Sequence, residues 1–207
     1  VEAFGADSEI PSSIHNFVDA HMTDRRRLYI AAGFYAKRTF QIMYRELEGS
    51  EKALKAKHGY SVVPWDEVAA ADVRHVHMYA FLEHYRPSLR GIWWDEATEE
   101  LDPRWSFVAL DPQGRPAGYC LTGRPAERWI ATGRTEAYIY LLGVDAEHRS
   151  HSLSTALLGA TVSAAAASGV SRIGLDVDTE NPSNAHAIYE RFGFVDGPAE
   201  VFYTIDQ

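Results

Sequence analysis

The chain is poor in cysteine, in basic residues and in long apolar runs, and each shortage excludes a class of protein. Its 207 residues contain one cysteine, Cys120, so no disulfide can form within the chain and a cytoplasmic location is favoured. Lys and Arg number 20 against 29 Asp and Glu, a net charge of −9. This balance argues against nucleic acid as the main partner. No apolar run approaches the roughly 18 residues of a membrane-spanning helix, so no membrane contact is expected.

What the chain does contain is enough apolar surface for a core. Hydrophobic residues make up 46% of it and aromatic residues 12%, which suits one domain, or one domain with a fragment of another. Cys120 lies in the apolar stretch "AGYCLTG" and is interpreted as a small buried hydrophobe rather than a nucleophile. The first residue is Val and no charged-then-apolar leader follows, so we predict no signal peptide and expect that an upstream segment is missing. The acidic charge is compatible with amines as substrates.

A repeat relates the two ends of the chain. Tyr29 aligns with Tyr189, and Gly33-Phe34 aligns with Gly193-Phe194 at the same offset of 160 residues. Each copy has the pattern of a short helix, a glycine that ends it in a left-handed conformation, and an apolar strand. The first copy has only about 20 residues ahead of it.

The repeat leads to a prediction of the domain organisation. Residues 1–50 are predicted to be the C-terminal helix and strand of a first domain, 51–59 a charged linker, and 60–207 a complete second domain. As an alternative, the lone helix and strand complete the sheet of a neighbouring subunit.

Residues 60–207 alternate between strand and helix patterns. The turn "DPQGR" separates two apolar stretches and indicates a β-hairpin. After it, "EAYIYLLGV" is typical of a buried strand, "LSTALLGATVSAAAA" of a helix and "RIGLDVD" of a second strand. The stretch "PSNAHAIYERF" predicts another helix, and "EVFYTID" a closing strand. The sequence therefore predicts an α/β domain with a mixed sheet.

The segment from Val144 to Leu158 has the pattern of a phosphate-binding loop without its glycines. A strand leads through a turn into a helix, whose first N–H groups have no partner within the helix and attract anions. Arg149 and His151 add positive charge, while Ser152 and Ser154 stand where such loops place glycine. If residues 152 to 154 are already helical, serine fits there without strain, and its hydroxyl can donate to a phosphate oxygen. We therefore expect the loop to keep its phosphate binding.

Two motifs together resemble the GCN5-related N-acetyltransferase (GNAT) family. The family's first motif, V-x-x-x-x-R-x-x-G-x-G/A, falls on the segment just described, with serine at both glycine positions. The resemblance covers about residues 60–207, and the N-terminal repeat is similar to the end of a second such domain in tandem members such as the mycothiol-synthase group. The residues that carry the motifs are Val144, Arg149, Ser152 and Ser154 in the first, and Asn181, Ala185, Ile188-Tyr189 and Gly193-Phe194 in the second.

The resemblance implies a GNAT-type α/β fold, whose mixed, mostly antiparallel central sheet is flanked by helices, preceded here by the remnant of another such domain. It implies transfer of an acetyl group from acetyl-CoA to a primary amine of a small molecule or peptide, by direct attack in a ternary complex. The residues expected to bind acetyl-CoA are Leu142, Val144, Arg149, Ser150, His151, Ser152, Leu153, Ser154 and Asn181. Asn181 also suits a helix N-cap before Pro182.

The resemblance also places two catalytic candidates. Tyr189 matches the acid that protonates the leaving thiolate, although a core aromatic side chain would fit the same position. Glu136, at the start of the central strand, is the candidate base that deprotonates the amine, although a solvent-exposed Glu is equally common there. Tyr29 occupies the slot of Tyr189 but has no phosphate loop of its own. His75 and His77 lack a third ligand, so no metal is predicted.

Two other functions fit the same residues. One is a degenerate GNAT domain that binds CoA weakly or serves as the structural half of a tandem protein, and the serine-containing loop favours it. The other is a peptidyl or aminoacyl transferase that uses aminoacyl-tRNA, which the acidic charge disfavours. For partners, a homodimer and contact with the missing N-terminal half stay open. Aromatic and His residues of the expected acceptor region are His75, His77, Tyr79, His84, Tyr85, Trp93 and Trp94.

Overall fold

A computed structural model describes residues 13–80, 100–181 and 185–206. The strands are β1 (Ser13–Asp19), β2 (Tyr35–Glu46), β3 (Ser61–Pro64), β4 (Phe107–Leu110), β5 (Pro116–Gly123), β6 (Glu136–Val144), β7 (Arg172–Asp178) and β8 (Val195–Asp206). The helices are α1 (Thr23–Ala31), α2 (Ala70–Ala80), α3 (Ala126–Thr132), α4 (Leu153–Ala167) and α5 (Ala185–Arg191). Three short 3₁₀ turns accompany them, Trp65–Glu67, Pro103–Trp105 and Ala146–His148.

The eight strands form one sheet in the order β1-β8-β2-β7-β6-β5-β4-β3. Antiparallel pairing joins β1 to β8 and runs from β3 through β4 and β5 to β6, whereas β6 and β7 are parallel. The prediction of a mixed, mostly antiparallel sheet with flanking helices is confirmed. The chain forms two compact units: Val1–Met43 with Asp176–Gln207 is the first unit, and Tyr44–Leu175 is the second.

The second unit is built on the two faces of β5. Tyr119 and Leu121 pack with Val73 and Val76 of α2 in one buried cluster. Because strand side chains alternate, the intervening residues face the other way, and Gly118 lies against Leu157 of α4. The fifteen-residue α4 is buried along much of its length, as its small and apolar sequence requires. The sheet of this unit is therefore covered by α2 on one face and by α4 on the other.

The predicted hairpin is present between β4 and β5. The Asp111 carboxylate accepts hydrogen bonds from the backbone N–H groups of Gln113 and Arg115, each at 2.8 Å, and so closes the turn. Cys120 is buried on β5, and burial raises the pKa of its thiol to about 11. The interpretation of Cys120 as a buried hydrophobe is confirmed. The short helix α3 has no counterpart among the sequence predictions.

The first unit contains the repeat, and its two copies have the same local geometry. Phe34 N–H donates to Tyr29 O at 3.0 Å, and Phe194 N–H donates to Tyr189 O at 3.1 Å. The Tyr29–Phe34 and Tyr189–Phe194 rings meet edge to face, at interplanar angles of 63° and 60°. Both glycines, Gly33 and Gly193, have positive φ, at 91° and 79°. The two copies of the repeat are therefore alike in structure as well as in sequence.

The copies also share a preceding strand that the sequence comparison missed. Val18-Asp19 ends β1 ahead of α1, and Val177-Asp178 ends β7 ahead of α5. The order β1-β8-β2-β7 places each of these strands beside the strand that follows the other helix. The strands of residues 13–43 thus pair with strands of residues 176–206 in the same chain.

Among the described residues, no helix is both long enough and apolar enough to cross a membrane.

Candidate functional site

The loop from Arg149 to Ser154 joins β6 to α4 in the second unit. Helix α4 begins at Leu153, and the side chain of its N-cap residue, Ser152, makes no capping hydrogen bond. The N–H groups of the first turn therefore keep their hydrogen-bonding capacity and, together with the helix dipole, favour an anion at this end. The predicted strand, loop and helix are all present, with the bounds of β6 and α4 as the sequence indicated.

The condition under which serine fits this loop without strain is not met at Ser152, which is not helical. Ser152 lies in the left-handed region, at φ 60° and ψ 27°, and Ser150 has φ 68°. Leu153 and Ser154 are helical. The physical reason is that the chain must reverse direction between β6 and α4, which requires left-handed residues. Two serines carry a conformation that glycine adopts without cost.

The two basic side chains of the loop are held by neighbouring backbone. Arg149 Nη2 donates to Ala80 O, at the end of α2, at 3.2 Å. His151 Nδ1 lies 2.9 Å from Arg149 O and 3.2 Å from His148 O, so the proton of this ring nitrogen points to the loop carbonyls. These contacts tie the loop to itself and to α2.

Strand β6 contains a β-bulge opposite β5. Leu121 pairs with Leu141 and Thr122 pairs with Ile139, so Tyr140 is an extra residue on β6. The parallel pairs with β7 run from Glu136↔Arg172 to Ile139↔Leu175, and the bulge follows at once.

The bulge is followed by two N–H groups that point away from β5. Asp145 N–H donates to Ala117 O of β5 at 3.0 Å. Because backbone groups alternate along a strand, the N–H groups of Leu142 and Val144 face the opposite side. Both residues lie beyond the last pair between β6 and β7 in the second unit. They are thus available to an extended ligand that runs along β6.

Glu136, the candidate base, is buried in an ion-pair cluster. Its side chain is 1% exposed, Arg172 Nε donates to Oε2, and Arg128 Nε lies 3.3 Å from Oε1. Within the described residues, Oε1 has no hydrogen-bond partner despite this ion pair. The base role of Glu136 stays a prediction, and it requires a proton path to a side chain closed to bulk water.

Aromatic rings surround the same cluster. The Arg128 guanidinium lies 4.6 Å from the centre of the Tyr138 ring and donates from Nη2 to the Tyr44 hydroxyl, while Arg172 lies 4.2 Å from the Tyr44 ring. Burial raises the pKa of the Tyr44 hydroxyl, against the opposing effect of Arg128. Burial and the Glu100 carboxylate, which accepts its hydrogen bond at 3.0 Å, raise the pKa of the Tyr140 hydroxyl.

The other two candidates, Asn181 and Tyr189, belong to the first unit. Asn181 N–H donates to Asp178 O at 3.1 Å, and Tyr189 is buried on α5 against Phe194. Asn181 lines a pocket of about 210 Å³. The other residues of this pocket are Gln41, Val177, Asp178, Thr179, Ala185, His186 and Asp196. The N-cap alternative for Asn181 involves Pro182, which lies outside the described residues.

The predicted acceptor region is only partly within the described chain. His77 is buried on α2 with Nδ1 against the Tyr119 hydroxyl, whereas His75 and Tyr79 are exposed and in ring contact. His84, Tyr85, Trp93 and Trp94 lie outside the described residues. Among the residues that are described, no three His, Cys, Asp or Glu side chains are grouped to hold a metal ion.

Comparison with known proteins identifies the family. Residues 70–194, more than half of the chain, match the family model described as "Acetyltransferase (GNAT) family". This chain belongs to the GNAT family.

Two mycothiol acetyltransferases are similar to this GNAT chain. The protein from Clavibacter michiganensis subsp. michiganensis (strain NCPPB 382) is 33% identical, and that from Clavibacter sepedonicus 32%, each over 103 residues. The matched segment is 50% of this chain and 31% of each relative, so the match spans about a third of the curated relatives' length.

Solved GNAT structures show the same fold. A GCN5-related N-acetyltransferase from Sphaerobacter thermophilus has a TM-score of 0.73 at 23% identity, over 96% of this chain and 61% of that one. A tandem GNAT protein from the clavulanic acid biosynthesis pathway has a TM-score of 0.65 at 19% identity, over 95% of this chain and 64% of that one.

Sequence reasoning missed the arginines of this GNAT domain. Arg128 and Arg172 bracket Glu136, yet Arg128 lies on the unpredicted helix α3 and Arg172 at the first position of β7. One signal was available. In a parallel pair, the first residues of two strands adjoin, so an acidic start to β6 and a basic start to β7 indicate an ion pair. Arg128 had no such signal, because it lies on α3, between β5 and β6, and only the folded chain brings this helix next to Glu136.

Proposed function

We propose that this GNAT domain transfers an acetyl group from acetyl-CoA to a primary amine of a small molecule or peptide, by direct attack in a ternary complex. The observation that carries the proposal is the uncapped N-terminus of α4, directly after a bulged β6. The N–H groups of Leu142 and Val144 point away from β5 and extend this surface along the strand. The family membership supports acyl transfer in general.

In this proposal the phosphates and the pantetheine arm have separate binding residues. The loop from Arg149 to Ser154 holds the pyrophosphate through its N–H groups and serine hydroxyls. The pantetheine arm pairs with the backbone of Leu142 and Val144 as an added strand would. Asn181 contributes its side-chain amide. The N–H of Leu142 polarises the acetyl carbonyl, because that oxygen gains negative charge when the amine attacks.

Proton transfer is assigned to two residues. The amine must lose a proton before it attacks, and Glu136 receives it through water, since the carboxylate itself is buried. Tyr189 donates a proton to the departing CoA thiolate. The name of the Clavibacter relatives, mycothiol acetyltransferase, supports acetyl as the group transferred.

One observation favours a second candidate, a degenerate domain that binds CoA weakly or not at all. Ser150 and Ser152 both hold left-handed conformations in the loop that should bind phosphate, where serine is strained and its side chain occupies space beside the backbone. The two candidates differ in one measurable quantity, the affinity for acetyl-CoA.

Calorimetric titration with acetyl-CoA and with CoA tests the proposal. Saturable binding in the micromolar range, followed by release of CoA when primary amines are added, is the expected result. Absence of binding at millimolar ligand would contradict the proposal and favour the degenerate domain. Ser154→Glu places a negative charge in the first turn of α4, and we expect it to weaken binding at least tenfold.

A matched control separates charge at the loop from charge in general. Ala167→Glu adds the same carboxylate at the exposed far end of α4. It should leave the dissociation constant within about twofold of the unsubstituted protein, since the two positions are about 20 Å apart along the helix and screened by salt. Equal weakening by both substitutions would mean that the α4 N-terminus does not hold the phosphates.

A further inference from the structure

The cluster around Glu136 carries more positive than negative charge. Among the described residues, Glu136 is the one carboxylate paired with the two guanidinium groups of Arg128 and Arg172. Burying an uncompensated charge is costly, so a site of this kind is completed by an anion or by water. A separate contact on β6 joins the Tyr140 hydroxyl, as donor, to the Glu100 carboxylate. Within the described part of the chain, the cluster around Glu136 therefore has one cation in excess.

Only one of the two arginines is open to a ligand. The Arg172 side chain is 12% exposed and its Nε faces Glu136, whereas the Arg128 side chain is 34% exposed. Arg124, which precedes α3, is 46% exposed but lies 3.9 Å from a carboxylate oxygen of Asp102. Of the two arginines at Glu136, Arg128 is therefore the one that an incoming anion can reach.

The Arg128 guanidinium is already held in a fixed plane. Its Nη2 donates to the Tyr44 hydroxyl, its Nε faces Glu136, and the ring of Tyr138 lies beneath it. Three fixed contacts mean that little side-chain freedom is lost when a ligand binds. Exposed surface arginines lack this arrangement. The geometry is that of a preorganised receptor for a carboxylate or phosphate group.

The receptor lies on the strand that would carry the acetyl group. Tyr138, which supports Arg128, is four residues before Leu142 on β6, a separation of about 13 Å at the usual rise per residue. We propose that Arg128 binds an anionic group of the acyl acceptor, so that the acceptor is an amine with a carboxylate or phosphate about 10 Å from its nitrogen. This proposal rests on the proposed acetyl transfer, and it narrows the acceptor from primary amines in general to those that also carry an anionic group.

Matched acceptors test the proposal directly. 6-Aminohexanoate is compared with 6-aminohexanamide, and triglycine with its C-terminal amide, by the rate of CoA release from acetyl-CoA. A charge-assisted hydrogen bond predicts a kcat/KM about tenfold or more higher for each acid than for its amide. 6-Aminohexyl phosphate against 6-aminohexanol forms a third pair, and the pair with the largest ratio tells a carboxylate acceptor from a phosphate acceptor.

Substitutions then assign the preference to one side chain. In Arg128→Gln the ratio of acid to amide should fall towards one, and in Arg128→Lys it should fall only in part, because lysine keeps the charge but not the planar fork. Arg134→Gln is the matched control. Arg134 is a nearby exposed arginine that pairs with Glu46, and its loss should leave the ratio unchanged. Thermal melts show whether all three variants fold. If Arg128→Gln does not fold, the partial loss of preference expected of Arg128→Lys still tests the proposal.

The outcomes separate this proposal from the proposed function. If the protein binds no acetyl-CoA, the acetyltransferase proposal itself fails. If it binds acetyl-CoA but acids and amides react equally, or neither member of any pair reacts, the anionic acceptor is refuted while cofactor binding stands. Retention of the preference in both Arg128 variants would also overturn the assignment to Arg128.

Discussion

At the scale of single residues, the phosphate loop is strained at two serines. Left-handed backbone costs a residue other than glycine about 1–2 kcal/mol, because its Cβ approaches the following carbonyl oxygen. Ser150 and Ser152 both adopt it, at φ 68° and 60°. Neither side chain is buried, so packing does not select serine at these positions. The loop therefore keeps its shape at a cost in stability that glycine would remove.

Replacement of Ser152 by glycine should stabilise the protein. Relief of the left-handed strain exceeds the added entropy of glycine in the unfolded chain, so we expect a gain of up to about 1 kcal/mol and a higher melting temperature. Removal of the side chain also lets a phosphate approach the backbone more closely, and the acetyl-CoA dissociation constant should fall severalfold. Thermal melts and calorimetric titration measure the two effects.

Ser154→Gly is the control for this prediction. Ser154 is two positions further along the chain but inside α4, where glycine is unfavourable. The same substitution should therefore destabilise the protein by roughly 0.5–1 kcal/mol. A destabilising effect of equal size at Ser152 would show that its left-handed conformation is not a source of strain.

At the scale of elements, the two copies of the repeat predict equal behaviour at two distant glycines. Gly33 and Gly193 each end a helix in the same pattern of backbone hydrogen bonds, with φ of 91° and 79°. Alanine at either position should cost about 1–2 kcal/mol, because both require a left-handed residue. Urea unfolding of Gly33→Ala and Gly193→Ala measures the two losses.

Asparagine variants distinguish backbone strain from crowding. Asparagine tolerates the left-handed region better than alanine, so Gly33→Asn and Gly193→Asn should each recover part of the loss. At Gly33 an added Cβ would also lie 3.3 Å from Ile205 Cδ1. A larger loss with asparagine than with alanine at both sites would show that side-chain volume, not φ, sets the cost.

The elements differ in how far the sequence predicts them. The bounds of β6 and α4 follow from segments of mainly apolar and small residues that end at turns, and those of β7 from the alternation of polar and apolar residues in "RIGLDVD". By contrast, β1 is half exposed along its length and α3 spans seven residues, so neither shows a clear period. Left-handed Ser152 and the Arg128 contact to Glu136 depend on tertiary geometry, which no local pattern contains.

At the scale of the whole molecule, one buried histidine couples stability to pH. Burial lowers the pKa of His77 from 6.5 to about 4, since the charged form loses its hydration. The folded protein therefore favours the neutral form of His77. The contribution of neutral His77 to the free energy of unfolding is complete above pH 6.5, where this side chain is neutral in the unfolded chain as well. It is lost as the pH falls towards 4. Between pH 7.5 and 5 this amounts to about 2 kcal/mol of the free energy of unfolding.

His77→Phe should flatten that dependence. Urea unfolding at pH 7.5 and at pH 5 gives the free energy of unfolding of each protein, and the variant should lose about 2 kcal/mol less than the unsubstituted chain. His21, an exposed residue that precedes α1, supplies the control His21→Gln, which should preserve the full pH dependence. An unchanged slope in His77→Phe would show that other groups carry the acid sensitivity.

Removal of residues 1–50 tests whether residues 60–207 form a complete domain, as the repeat predicts. In the strand order β1-β8-β2-β7, both neighbours of β8 come from the removed segment. Deletion exposes Val201 and Tyr203, which pack with Val18 of β1, and leaves the backbone groups of β8 unpaired. We therefore expect the fragment 51–207 to aggregate or to unfold without a cooperative transition.

A separate peptide of residues 13–46 provides the matching experiment. If the fragment aggregates because β8 has lost its neighbours β1 and β2, co-expression with this peptide should restore a soluble complex, since the same strands then pair with β8 from a separate chain. Circular dichroism and thermal melting of the complex against the full chain measure the recovery. A fragment 51–207 that melts cooperatively alone would instead support the predicted boundary, and would mean that β1, α1 and β2 add to a sheet that is already stable without them.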